Sequence, residues 1–258
     1  MTPEIGPWAL AFVVVACLLA AFAHGAIGFG FPMVATPLVA LVIDIKFAIG
    51  LLAPITLVLV VITAVGGGGS LPALARRFWY LPLLVGLGSW LGTRLLLAAP
   101  PEPFLLVLAL VMLLYLNLDR LGHGKHPAVE RSPMAFGICF AFVAGVFEAV
   151  ANVAGPVLLL YFMLLGLPPV HLVQALNLCF SVGKSTQVAT WAASGALSPQ
   201  DWVAIAALSL PSVAALFAGM RLRSRIDAET YRRWLRKALW VMALLLIGQF
   251  ALSGKALA

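Results

Sequence analysis

Gln174, Asn177, Ser181, Lys184 and Ser185 interrupt an otherwise apolar stretch of the chain. On a helix of 3.6 residues per turn they fall within about a third of the circumference. Amide N–H groups, a hydroxyl and an ammonium are the donors that coordinate an anion. Inside a membrane such a stripe must face protein or water, so it is either a seam of helix–helix hydrogen bonds or the wall of a substrate cavity. Lys184 has its own pair of readings. It either holds an anionic partner in the interior or snorkels outward past Trp191, which is ~10 Å further along the helix.

Two interruptions of the backbone complete the set. The first is Gly25-Ala-Ile-Gly28-Phe-Gly30-Phe31-Pro32, inside an apolar run from Trp8 to Ile43 that is far longer than the ~30 Å bilayer core requires. Its glycines weaken the helix and Pro32 cannot donate to it, so the run splits. The irregular backbone must then be buried in protein or line a wet cavity. Pro32 is expected to be the first residue of the second piece, with that helix N-terminus open to an anion. The second interruption, Asn152-Val-Ala-Gly155-Pro156, falls 124 residues after the first. Asn152 can donate to an oxyanion or cap the helix that starts at Pro156. His24 and Glu148 occupy equivalent positions just before the two breaks and are candidates for proton coupling. Their structural alternatives are a hydrogen-bonded packing histidine and an ion pair of Glu148 with Lys184, which would leave Lys184 unavailable to an anion.

The elements that carry these residues are membrane segments. Of 258 residues 63% are hydrophobic and 10% charged, which excludes a soluble domain on an anchor and predicts an all-α polytopic membrane protein. Apolar runs fall near 8–24, 31–43, 47–65, 78–97, 103–118, 134–150, 156–167, 171–191, 202–219 and 238–253. The second and seventh are short enough to penetrate part way. The shift of 124 residues also brings Ser70 onto Ser194, and with three more residues Gly92-Thr-Arg94-Leu95 meets Gly219-Met-Arg221-Leu222. The chain therefore reads as a first repeat over 1–120, a cytoplasmic linker over 121–133 and a second repeat over 134–258. Each repeat has five segments and begins with a Gly/Pro-broken helical hairpin.

An odd number of segments inverts the second copy, and the basic residues agree. With both termini outside, the inner side receives Arg76, Arg77, Arg120, Lys125, Arg131, Arg221, Arg223, Arg225, Arg232, Arg233, Arg236 and Lys237, twelve of the sixteen. The net charge of +7 is thus read as retention of loops at the cytoplasmic face of a cell inner membrane, not as affinity for nucleic acid. The opening residues contain no Lys or Arg to form a signal-peptide n-region, so the first segment is expected to stay. Cys17, Cys139 and Cys179 lie in apolar runs and read as small core residues. Trp191 and Trp202 are expected to flank the outer loop, and Trp79 and Trp234 the inner face. No serine–histidine–acid set, metal-ligand cluster or paired carboxylates appear, so neither catalytic residues nor a cofactor or metal is expected.

The glycine-rich break Gly25–Pro37, its repeat Gly145–Pro156, Gln174-Ala-Leu-Asn177 and the two Gly-x-Arg-Leu motifs resemble the sulfite exporter TauE/SafE family of transporters over almost the whole chain. The resemblance implies movement of a small sulfur-containing anion, such as sulfite or an organosulfonate like sulfoacetate. It places substrate-binding roles on Gly28, Gly30, Phe31, Pro32, Asn152, Gly155, Pro156, Gln174 and Asn177. Ser181 and Lys184 join them from the polar stripe. The expected mechanism is alternating access around a midplane site between inverted repeats. Besides the substrate the partner is the lipid bilayer, and a homodimer is allowed by the sequence but not required. Two other readings stand beside this one: a transporter of another solute, such as a carboxylate or metal cation, and a membrane-embedded enzyme or assembly factor.

Overall fold

The computed structural model describes residues 6–66, 71–117 and 126–222, with 240, 244, 247 and 248. The described residues form helices only. The first half gives α1 (Pro7–Ile27), α2 (Phe31–Val39), α3 (Ile45–Gly66), α4 (Leu71–Arg77), α5 (Tyr80–Ala98) and α6 (Glu102–Leu116). After a short α7 (Pro127–Arg131) come α8 (Pro133–Ala151), α9 (Gly155–Leu164), α10 (Pro169–Ser194) and α11 (Pro199–Leu222). Of the tenth expected segment only residues 240, 244, 247 and 248 are described, and Trp234 and the basic residues at 120, 125 and 223–237 lie outside the described residues.

The 124-residue shift recurs in the helix boundaries. α1 ends at Ile27 and α8 at Ala151; α2 starts at Phe31 and α9 at Gly155; α3 starts at Ile45 and α10 at Pro169. Both breaks therefore fall where glycine and proline placed them. Proline is the second residue of α2 and of α9, one position later than expected, and Phe31 and Gly155 come first. At ~1.5 Å per residue α2 and α9 reach ~14–15 Å, about half the bilayer core. They are short segments and cannot cross alone.

Five helices, α1, α3, α5, α8 and α11, are long and apolar enough to span a membrane. The longest, α10 with 26 residues, is not among them because its polar stripe lowers its hydropathy. That helix is surrounded instead, packing on α3, α5, α4 and α9. Large apolar side chains point outward around the bundle, among them Trp8, Leu19, Val65, Val203 and Leu210. An exposed apolar girdle of this kind suits lipid as its solvent.

Helix pairing crosses between the halves. α1 packs along α11 and α5 along α8, while α3 meets α10. The close crossings are made by glycine. A Cβ on Gly219 would run into the backbone of Phe22 and Ala26, and one on Gly25 into that of Leu216 and Met220. At the other crossing a Cβ on Gly92 would meet Val146 and Ala149, one on Gly88 the backbone of Phe142, and one on Gly145 that of Val85 and Ser89. These are the glycines of the two Gly-x-Arg-Leu motifs and their partners. They let backbones approach within van der Waals contact, the main source of helix association in lipid. Arg94 points outward and lies over the Trp90 ring, 5.7 Å from its centroid.

Two sequence expectations are corrected here. Cys139 is exposed, unlike the buried Cys17 and Cys179, because it lies on the outward face of α8. Trp191 is not an interfacial residue: it is 4% exposed and fills the space over Gly50 on α3. Trp79 is 61% exposed.

Gly145→Ala should destabilise the protein by about 1–3 kcal/mol, the usual cost of forcing atoms into a packed contact. Gly66→Ala should not, since its Cβ would meet nothing closer than the Met220 methyl at 3.5 Å. Melting of the two variants in detergent checks the contrast.

Candidate functional site

The first break is held open by side chains that replace helix partners. Gly28 ends α1 with φ of 100°, a left-handed conformation in which glycine is unstrained, and Gly30 (φ 107°) precedes α2. The Gly28 carbonyl accepts from Asn177 Nδ2 at 2.7 Å, and the Phe31 amide donates to His24 Nδ1 at 3.3 Å. Asn177 also donates to Val173 O, one turn before it on α10.

At the second break Asn152 occupies the place of Gly28. It adopts φ of 59°, and asparagine is one of the few residues that enter this region at small cost. Its side chain does not cap α9. Asn152 Nδ2 donates to Thr36 Oγ1 on α2 at 2.9 Å, and Asn152 Oδ1 accepts from Lys184 Nζ. One amide thus ties the second break to the first half-helix and to α10.

Lys184 does not snorkel. It is 1% exposed, and Nζ donates to Asn152 Oδ1, to Gln187 Oε1 at 2.6 Å and to Glu148 O at 3.4 Å. An ammonium has three hydrogens, and here each has an acceptor. The Glu148 carboxylate adds an ion pair at 3.9 Å, so the alternative read from the sequence is formed, at long range. Room for that carboxylate comes from Gly183, where a Cβ would overlap Glu148 Oε2.

These groups converge on a narrow cavity. His24, Gly30 and Pro32 line it from the first half, with Thr56 and Val60 of α3; Glu148, Asn152, Gly155 and Lys184 line it from the second. Of the remaining nominated residues, Gly28 and Asn177 lie behind it as the hydrogen-bonded support of the first break. Phe31 and Pro156 are buried beside it in the packing of α2 and α9. Gln174 is buried on α10 with Oε1 unpartnered, and Ser181, half-buried, bonds back to Asn177 O; neither lines the cavity. Ser185 is exposed. Sequence reasoning missed Gln187, although it follows Lys184 by three residues on the same face, and Thr36, which carries no signal in sequence.

A helical bundle with an apolar outer face, five helices able to cross a bilayer and buried polar side chains around a narrow cavity at two helix breaks is a multi-pass membrane protein. The description of the sulfite exporter TauE/SafE family matches residues 13–249, and the chain belongs to that family of membrane transporters. No curated protein and no solved structure matches the chain.

Asn152→Gly removes the amide but keeps the left-handed backbone free of strain, whereas Asn152→Ala loses both. The alanine variant should be less stable than the glycine variant by ~1 kcal/mol or more, measured by denaturation in detergent.

Proposed function

We propose that this protein exports sulfite or an organosulfonate anion such as sulfoacetate by alternating access, with its site at the cavity between the two breaks. The observation that carries the reading is the convergence of both half-helix starts and one buried ammonium on a single cavity lined by the two halves. The starts of α2 and α9 contribute the positive ends of their dipoles. Lys184 contributes the charge that makes the site anionic in preference, and Glu148 is the internal counter-charge against which a substrate competes. Of the residues lining the cavity only Glu148 is acidic, whereas a hard cation would want several convergent oxygens. Outward movement of an anion across a membrane with a negative interior is downhill by ~2.3 kcal/mol per charge per 100 mV, so export can run without a coupled ion.

The halves are read as inverted repeats in an inner membrane, with both termini outside and the 121–133 linker in the cytoplasm. Support comes from pairing that is unchanged when the halves are exchanged. α1 with α11 becomes α8 with α5, and α3 with α11 becomes α10 with α5. Even the Gly219 contact with Phe22 maps onto the Gly92 contact with Val146.

Sulfite or sulfoacetate should raise the melting temperature of the purified protein, while a plain carboxylate and divalent cations should not. Lys184→Ala should abolish that shift and transport well beyond any loss of folded protein; normal transport would remove Lys184 from the site. In a background without the native cysteines, a cysteine at Ser194 should react with an impermeant thiol reagent in intact cells and one at Ser132 should not.

A further inference from the structure

His24 stands in the cavity with a donor the transport reading has not used. It is fully buried in α1, four residues before the αL turn at Gly28, and lines the cavity with Gly30, Pro32, Asn152 and Lys184. Its Nδ1 accepts the Phe31 amide hydrogen at 3.3 Å. A ring nitrogen that accepts carries a lone pair, so the ring hydrogen is on Nε2. A doubly protonated ring would set two N–H groups against each other and break the contact that holds the start of α2. The Nε2 atom is buried and has no partner.

Donor counting in the cavity shows why that atom matters. Among the lining side chains the other donors are Thr56, Asn152 and Lys184. Thr56 Oγ1 gives its hydrogen to Leu52 O, and Asn152 Nδ2 donates to Thr36. All three hydrogens of Lys184 go to Asn152, Gln187 and Glu148. Lys184 therefore offers charge and Asn152 Nδ2 keeps a second hydrogen, while His24 Nε2 is the donor atom among them that has no partner at all. A buried donor left open in this way fits an oxyanion, which supplies strong acceptors and no hydrogens.

We propose that His24 is a substrate-binding residue that donates Nε2–H to an oxygen of the transported sulfite or sulfonate, in a tautomer fixed by the Phe31 amide. The first amide of α2 then reaches the substrate through the imidazole. Bound anion, ring and half-helix form one line of hydrogen bonds, so the same histidine that seats the anion fixes the position of α2. This rests on the anion reading above. It assigns His24 a fixed hydrogen-bonding role toward the substrate, where the sequence left proton coupling and hydrogen-bonded packing as its two readings.

The test uses the full chain in detergent, with its four histidines labelled with ¹⁵N and His24 assigned by its loss in His24→Asn. Nδ1 of His24 should give the signal of an unprotonated ring nitrogen and Nε2 that of a protonated one. Sulfite should move the Nε2 signal and leave Nδ1 unprotonated. In binding, His24→Asn keeps an acceptor near the Nδ1 position and loses the cavity donor, so its sulfite affinity should fall about tenfold or more. His24→Gln, with an amide donor near the Nε2 position, should stay closer to the wild type. A wild type that binds sulfite with an unmoved Nε2 signal, or a His24→Asn variant that binds as tightly as wild type, overturns the role of His24 alone. A wild type that binds neither sulfite nor sulfoacetate overturns the anion reading, and the ligand assigned here falls with it.

Discussion

A peptide group that leaves a helix inside a membrane has no water to turn to, and each one left unpaired costs several kcal/mol. Two helix breaks therefore oblige the rest of the bundle to supply partners at the right depth. α10 does this for the first break through Asn177, which takes the Gly28 carbonyl, and α1 does it through His24, which takes the Phe31 amide. At the second break the backbone turns through Asn152, whose side chain is then held by Lys184 and Thr36. The polar stripe of α10 was legible as either a hydrogen-bonding seam or a cavity wall. In the structure it is both: Asn177 and Gln187 brace, and Lys184 between them reaches the cavity.

The ammonium of Lys184 is the most costly group in this arrangement and also the best provided for. Its three hydrogens meet three oxygens, one of them the backbone carbonyl of Glu148, in the turn of α8 just before the break. Gln187 passes the constraint on by donating to Ala149 O at 3.2 Å. Lys184 and Gln187 thus clamp the last turn of α8 from the side. The carboxylate of Glu148 stays 3.9 Å from the ammonium, with Oε2 unpartnered. The positive charge is fully hydrogen-bonded and only loosely neutralised, which is the condition under which a mobile anion can compete for it.

Much of the fold could be read in advance because the strongest local signals coincide with a repeat. Glycine close before proline marks both breaks, and the 124-residue shift found that pattern twice. Asn152 looked like a departure from the glycine pattern, yet it shares with glycine the ability to turn left-handed, so the two residue types do one backbone task. What could not be read was tertiary. The small-xxx-small spacing of Gly88 and Gly92 marked one helix contact, but Gly145 looks like an ordinary small residue until α5 and α8 are brought together, and nothing in the sequence places Thr36 beside Asn152. Trp191 misled because an aromatic near a segment end usually marks the lipid interface, whereas Gly50 leaves a space that only a large ring fills. Cys139 misled because an apolar run does not say which of its faces is inward.

The glycine crossings have a mechanical consequence. Backbones in direct contact at Gly25 and Gly219 cannot slide past one another without losing that fit, and the same holds for Gly88, Gly92 and Gly145. α1 of the first half must therefore travel with α11 of the second, and α8 with α5. Each of these tightly fitted pairs joins one helix from each half of the chain. Any rearrangement that preserved these fits would have to open between the two pairs, and so within each half and not between the halves.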